Sequence, residues 1–159
     1  MIGRYLSGFF CDDIRHEIDG KITLVGCYGP EMQVSGFPVV LNKLCAHVTI
    51  STPGSNPFPE LRVAVLKDDD VLAEGVVSSE MANSMRELAE KSAEDAGSGS
   101  IKVNVDFSMA PLTIDKACVL RVRAYCQDET IKGLALRVSA PDKLPTFTVT
   151  AGSGQVGVI

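Results

Sequence analysis

Four acidic residues near the N-terminus are the first side chains whose types and spacing could support chemistry. Two carboxylates held close together can act as general acid and general base. The four candidates lie around one predicted hairpin: Asp12, Asp13, Glu17 and Asp19. Because a polar strand edge accounts for the same residues, we predict no catalytic residue among them. A hydrolase that uses these acids is the third of three functional hypotheses.

The thiols and imidazoles offer a second kind of chemistry. A cysteine beside a histidine can act as a nucleophile, and Cys11 or Cys45 could pair with His16. The five cysteines contain no CxxC spacing that would predict a zinc or redox motif, and an odd number cannot pair fully within the chain. We predict buried, reduced thiols, no metal ion, no cofactor and no enzymatic activity.

Two further stretches match ligand-binding patterns in their residue types. Asp68, Asp69 and Asp70 could bind calcium, but calcium takes six to eight oxygen ligands, usually from several loops. We favour a solvated turn that protects a sheet edge by its charge. Residues 152–157 read GSGQVG and match GxGxxG, yet a dinucleotide site also needs a following helix, and the sequence given ends two residues later. We therefore expect no dinucleotide site.

The elements that must position these side chains are strands. Apolar residues recur at every second position in several stretches, which is the pattern of a strand with one buried face. The fold class predicted is mainly β: an antiparallel two-sheet β-sandwich, immunoglobulin-like or similar, of eight or nine strands. The clearest strands lie at 44–50, 61–65, 101–107, 118–126 and 134–138.

Turn and helix signals complete the prediction. Asp19-Gly20 suits the positive φ angles of a two-residue type I′ hairpin, and residues 66–72 predict a second hairpin with the three acids at its tip. One short α-helix is predicted near 84–95, where Ser84 and Glu87 have capping-box spacing and Met85, Leu88 and Ala89 share a face.

The C-terminal residues differ in composition from the rest of the chain. We predict one β-sandwich domain over 1–144 and an extended arm or added strand over 145–159. Thr146 to Thr150 alternates again, and the end is rich in glycine yet apolar. The predicted interaction residues are the apolar side chains of this arm: Phe147, Val149, Val156, Val158 and Ile159.

Charge and hydropathy exclude several partners. The 159 residues carry a formal net charge of −5, and no cluster of Lys or Arg could displace counterions from phosphates. We expect no nucleic-acid partner and no membrane association, since no run approaches the roughly 20 apolar residues that span a bilayer. The N-terminus does not read as a signal peptide, so we expect a protein of the cell interior.

One motif carries a family resemblance. Phe10-Cys11-Asp12-Asp13-Ile14-Arg15, followed by Gly20-Lys21, Leu24-Val25-Gly26 and Tyr28-Gly29, resembles a family of small uncharacterised bacterial and bacteriophage proteins. The resemblance implies a bacterial or phage origin and brings no activity or cofactor. The family-like residues also have a structural interpretation, as a folding unit: Phe10, Cys11, Asp12, Asp13 and Arg15.

Two functional hypotheses stand ahead of the hydrolase. The first is a non-catalytic protein–protein interaction module, a structural or accessory component of a bacteriophage particle, which joins a protein partner or a second copy through sheet edges and the C-terminal arm. Its location would be the cytoplasm of a bacterial host or an assembled particle. The alternative is a host-directed or small-ligand-binding protein, such as an inhibitor of a bacterial defence factor, with a pocket near His47, Arg121 and Arg123.

Overall fold

The described part of the chain, residues 3–96 and 99–141 of a computed structural model, is mainly β-structure with one α-helix. The helix α1 spans Ser79–Ala96. Eleven strands lie in these ranges: β1 Tyr5–His16, β2 Ile22–Cys27, β3 Glu31–Gln33, β4 Val39–Leu41, β5 Leu44–Pro53, β6 Leu61–Lys67, β7 Asp70–Val77, β8 Ser100–Met109, β9 Leu112–Ile114, β10 Cys118–Cys126 and β11 Glu129–Ser139.

Two sheets face each other and form a sandwich, as predicted. Sheet A has the strand order β2-β1-β5-β8, and sheet B has the order β3-β11-β10-β6-β7. A separate two-stranded pair joins β4 to β9. The pairings within the described residues are antiparallel, except that the short β3 lies parallel to β11. No helix in the described ranges has the length and hydropathy needed to cross a bilayer.

Alternating side chains fill the space between the sheets. In β10, Leu120, Val122 and Ala124 are buried, and the residues between them are half-buried on the outer face. Each fully buried aliphatic side chain contributes roughly 1.5–3 kcal/mol relative to exposure. The core also takes inward-facing residues from both sheets: Phe10, Leu44, Ala46, Val48, Ile50, Val63, Val65, Leu136 and Val138.

The predicted hairpins are present, with one change of length. Asp19 and Gly20 both have positive φ, at 67° and 73°, as a type I′ turn requires. The loop is longer than two residues, because β1 ends at His16 and β2 begins at Ile22. Within this loop the Glu17 amide donates to the Lys21 carbonyl over 2.8 Å. The second hairpin joins β6 to β7 through Asp68 and Asp69.

The helix starts earlier than the spacing of Ser84 and Glu87 predicts. The Met81 amide donates to Ser78 Oγ over 3.3 Å, so Ser78 caps the first turn. Ser84 lies inside the helix, where its hydroxyl donates to the Glu80 carbonyl over 3.1 Å. The predicted capping box is therefore wrong, because Ser78 caps the helix six residues upstream of Ser84.

The buried face of the helix is also shifted from the prediction. Ala82 is buried and Met85 is half-buried, and both line a small cavity with Phe58 and Val77 at one end of the sandwich. Leu88, which the sequence places on the same face as Met85, is 65% exposed. The helix therefore covers the core through its first turns.

The hairpin β1–β2 bends back over the outer face of sheet A. Phe9 pairs with His47, and His47 pairs with Asp106 on the next strand. A straight strand would carry His16 roughly 23 Å beyond Phe9. His16 Nε2 instead lies 3.3 Å from Asp106 Oδ2, which is possible only if the hairpin tip, residues 13–25, folds across the sheet.

Candidate functional site

The family-like motif residues each have a structural partner. Phe10 lies in the core, and Asp12 Oδ1 accepts a hydrogen bond from the Tyr28 hydroxyl over 2.5 Å. Asp13 accepts one from Lys43 over 2.5 Å and lies 3.5 Å from Arg15 Nε. These contacts lie in the hairpin and beside it, and the interpretation of the motif as a folding unit stays a prediction.

The ionisation of these groups fits an anchoring role. The hydrogen bond from Lys43 holds the pKa of Asp13 below its usual value, and Asp13 raises the pKa of Lys43 in return. Burial, followed by the hydrogen bond to Asp12, raises the pKa of Tyr28 to about 12. A carboxylate with a lowered pKa stays ionised at neutral pH, so Asp13 is suited to hold a cation rather than to donate a proton.

Three cysteines form a row across neighbouring strands. Cys11 on β1 pairs in register with Cys27 on β2 and with Cys45 on β5. Cys11 and Cys45 are buried outside the core cluster, beneath the hairpin tip, while Cys27 is exposed. Burial, with smaller contributions from Cys45, Cys27, Asp12 and Asp106, raises the pKa of Cys11 to about 11. Such a thiol is protonated at neutral pH and is a poor nucleophile.

The other two cysteines lie where the sequence predicts them. Cys118 and Cys126 are buried in the core, and burial raises the pKa of each. All five cysteines are free thiols. Within residues 3–96 and 99–141, no group of three or more His, Cys, Asp or Glu side chains is arranged to hold a metal ion.

Both histidines of the chain contact one carboxylate. His47 Nδ1 lies 2.6 Å from Asp106 Oδ1, and His16 Nε2 lies 3.3 Å from Asp106 Oδ2. The Asp106 carboxylate therefore joins β8, β5 and the hairpin tip. Sequence reasoning missed this cluster, which we call the Asp106 clamp. His47 and Asp106 do alternate with buried residues, but no sequence signal showed that the tip would bring His16 to them.

The pocket predicted near His47, Arg121 and Arg123 is not assembled. His47 points outward from sheet A, and the two arginines point outward from sheet B, so they lie on opposite faces of the sandwich. The Arg121 guanidinium donates to the Asp68 carbonyl over 3.3 Å, and the Arg123 guanidinium donates to the Val122 carbonyl over 2.8 Å. These arginines satisfy local backbone carbonyls of sheet B.

The acidic turn has a docking role that the sequence did not show. Asp68 Oδ1 accepts a hydrogen bond from the Val119 amide over 3.1 Å, and the Asp68 amide donates to the Val119 carbonyl over 2.9 Å. Asp68 thereby fastens the β6–β7 turn to the start of β10. Its φ of 52° places it in the left-handed region, which aspartate tolerates better than most residues.

Among residues 3–96 and 99–141, the sheet edges are the surfaces with unpaired backbone groups. Sheet A ends in β2 and β8, and sheet B ends in β3 and β7. Two valines on β7, Val71 and Val76, are 51% and 55% exposed. The outer face of sheet A also exposes Tyr5 and Phe9. An edge strand with exposed apolar side chains is a template for an added strand.

The predicted interaction residues of the C-terminal arm lie outside the described residues. They are Phe147, Val149, Val156, Val158 and Ile159, and the proposed boundary between domain and arm at 144–145 also lies there. The last described residue is Pro141, two positions after β11 ends at Ser139. The assignment of these residues to an interaction therefore stays a prediction.

The fold and these contacts define a class of protein: a mainly β sandwich whose polar motif fixes the bend of an N-terminal hairpin. The model of a family of unknown function, DUF6941, matches residues 6–139, and the chain belongs to that family. The match includes the hairpin, both sheets and the helix. A search of the curated proteins finds no match to the chain.

Proposed function

We propose that the chain is a non-catalytic protein–protein interaction module that binds through a sheet edge and the segment 145–159. The observation that carries the proposal is β7, an edge strand that exposes two valines and pairs only with β6 among the described residues. Exposed edges invite pairing, and natural proteins usually protect them with lysine or proline. The β7 sequence, DVLAEGVV, contains neither.

The physical basis of such binding is strand addition. A peptide in extended conformation pairs its main chain with a free edge, and alternate side chains give specificity. Residues 146–150 read TFTVT, which alternates apolar and hydroxyl side chains and carries no charge. The polar groups best placed for chemistry contribute to folding contacts instead: Asp12 with Tyr28, Asp13 with Lys43, and Asp106 with the two histidines.

We place this module in a bacteriophage, as a structural or accessory component of the particle or a factor in its assembly. The support is the resemblance of the Phe10–Arg15 motif to bacterial and phage proteins, together with the exposed edge strand β7 of a small domain. Genomic neighbourhood tests the setting. Flanking capsid and tail genes would support it, whereas flanking defence-linked genes would contradict it.

Deletion of residues 145–159 tests the binding function. We expect the deleted chain to keep the far-ultraviolet spectrum of a folded β protein, because the core cluster and the two sheets found in the described residues do not depend on 145–159. Its association should weaken, as measured by sedimentation velocity over a range of concentrations. A chain that is an unchanged monomer before and after deletion would contradict the proposal.

A matched pair of variants separates side-chain recognition from mere length. Phe147→Ser with Val149→Ser removes the apolar alternation, and Thr146→Ser with Thr148→Ser changes the opposite positions of the same segment. The first pair should weaken association nearly as much as the deletion. The second pair should leave association unchanged.

A further inference from the structure

We propose that β7 of one chain accepts residues 146–150 of a second copy as an added strand. This inference rests on the proposed function and names its acceptor edge and its partner. The docked segment would pair with Ala73–Val77, the part of β7 that follows the register shift opposite Val65 and Leu66. That stretch has the same number of residues as the alternating segment 146–150.

The other three edges are less suited to a new strand. β3 has only three residues. β2 belongs to the folded-over hairpin and contains Gly26 with a φ of 65°, which interrupts an extended edge. β8 carries Lys102, Asn104 and Asp106 on its outward positions, and charged or polar side chains are a common protection of edge strands.

The chemistry of β7 favours an uncharged partner. Glu74 is the acid within the stretch 73–77, and its carboxylate lies 2.9 Å from Arg62 Nη1 on the neighbouring strand. This ion pair holds the Glu74 carboxylate over the neighbouring strand β6, away from the free edge. Val76 then remains as the exposed side chain near the free edge, at 55% exposure. A segment without charges, such as TFTVT, meets no unpaired charge there.

The described chain ends at the same end of sheet B as the β6–β7 turn. β11, β10, β6 and β7 are successive antiparallel neighbours, and the Asp68–Val119 hydrogen bond places the β6–β7 turn beside the start of β10. Ser139 ends β11 at the same end of the sheet, since Val138 pairs with Cys118. Three strand spacings, roughly 14 Å, separate β11 from β7.

The direction of the strands favours a second copy over the chain's own arm. β7 runs opposite to β11, so an arm that turned back at the end of β11 would lie parallel to β7. A second copy can place its arm antiparallel to β7. Antiparallel pairing is the commoner arrangement and is slightly more stable per residue.

Complementation between two defective chains tests the proposal. Val76→Lys blocks the edge and keeps the arm, while deletion of 145–159 removes the arm and keeps the edge. Val40→Lys is the matched control, because Val40 is a 58% exposed valine on β4. Far-ultraviolet spectra and thermal melts confirm that each variant is folded, and sedimentation velocity measures association.

The expected result has three parts. Val76→Lys raises the dissociation constant of self-association by roughly tenfold or more, since a charge buried at an interface costs at least 1.4 kcal/mol. Val40→Lys leaves it unchanged. The edge variant and the deleted chain, which are monomeric alone, form a two-chain complex when mixed.

Other outcomes overturn the inference in distinguishable ways. If Val76→Lys associates like the unmodified chain while the deleted chain does not, the arm binds elsewhere and only this inference fails. If the deleted chain associates like the unmodified chain, the proposed function fails as well. If the unmodified chain is a monomer in which deletion of the arm exposes the amides of 73–77 to hydrogen exchange, the arm occupies its own edge.

Discussion

At the scale of single residues, Arg4 shows how one side chain can hold several segments together. Its guanidinium donates to Thr52 Oγ1 and to the Pro57 carbonyl, each over 3.2 Å, and lies 2.9 Å from Glu129 Oε2. It also lies 5.2 Å from the centre of the Phe58 ring. The Arg4 side chain is only 7% exposed, so these partners replace the water that its charge loses.

We predict that Arg4→Met destabilises the fold by about 3 kcal/mol. The change leaves the carbonyl of Pro57 and the hydroxyl of Thr52 without their donor, and a buried acceptor left unsatisfied costs about 1–3 kcal/mol. Urea unfolding measures the loss. Arg62→Met is the control, because the Arg62 side chain is 43% exposed and its ion pair should contribute less than about 1 kcal/mol. Equal losses in both variants would contradict the role given to Arg4.

The raised pKa values of Cys11 and Tyr28 predict that the fold loses stability at alkaline pH. Their pKa values are raised in the folded chain, from 9.0 to about 11 for Cys11 and from 10.0 to about 12 for Tyr28. The unfolded chain therefore loses these protons at lower pH than the folded chain does. Their contribution to stability is complete below pH 9 and is lost as the pH rises through 11 and 12.

Substitutions in the cysteine row test the predicted decrease of the unfolding free energy with rising pH. We expect Cys11→Ala to flatten the decrease of unfolding free energy with pH between 9 and 11, after an initial loss of about 1 kcal/mol for the smaller side chain. Cys27→Ala changes an exposed cysteine of the same row and should leave most of the slope, because burial is the main cause of the raised pKa of Cys11. Urea midpoints at several pH values give the slopes. A Cys11→Ala slope as steep as that of the unmodified chain would count against the linkage.

At the scale of elements, the hairpin β1–β2 depends on a few polar contacts after it leaves its sheet. The Asp106 clamp holds its far end, and the contacts of Asp12 with Tyr28 and of Asp13 with Lys43 hold the bend. Segments with few buried apolar side chains open locally at a lower free energy than the core. Ile18 at the end of the tip is 84% exposed, which agrees with a segment held by its polar groups.

We predict that Asp106→Ala releases the hairpin tip while the sandwich stays folded. The tip loses its contact with Asp106, which contributes about 1 kcal/mol, so the amide exchange of residues 13–25 should accelerate by roughly fivefold. Hydrogen–deuterium exchange with mass spectrometry measures this rate. Asn104→Ala is the control, since Asn104 shares the strand and face of Asp106 but contacts Thr49. Equal exchange in the two variants would exclude the clamp as the restraint.

Local patterns predicted the long strands well and the short ones poorly. The alternation over 118–126 has the same bounds as β10, because a strand with one buried face has apolar residues at every second position. Strands β3, β4 and β9 have three residues each, too few for a period to be visible. The helix start was misplaced because Ser78 and Ser84 are both acceptable caps and only packing selects between them.

At the scale of the whole molecule, the sequence does not predict contacts between residues that are far apart in the chain, because strand pairing and register determine them. His16 contacts Asp106 because the bend in the hairpin β1–β2 carries His16 across β5 to β8, the strand that contains Asp106. Neither residue has a local signal for that contact. The same limit applied to His47, Arg121 and Arg123, whose outward positions were predictable but whose assignment to opposite sheets was not. The two-sheet architecture, by contrast, followed from the number and spacing of alternating stretches.

The two buried thiols of the cysteine row, beneath the hairpin tip, can report on the opening of that tip. Cys11 and Cys45 have almost no exposed surface, so an alkylating reagent reaches them only during the intervals when the tip lifts. Cys27 stays accessible throughout and gives the rate for an open thiol. The ratio of the two labelling rates reports the fraction of time that the hairpin tip is lifted, with no engineered label in the protein.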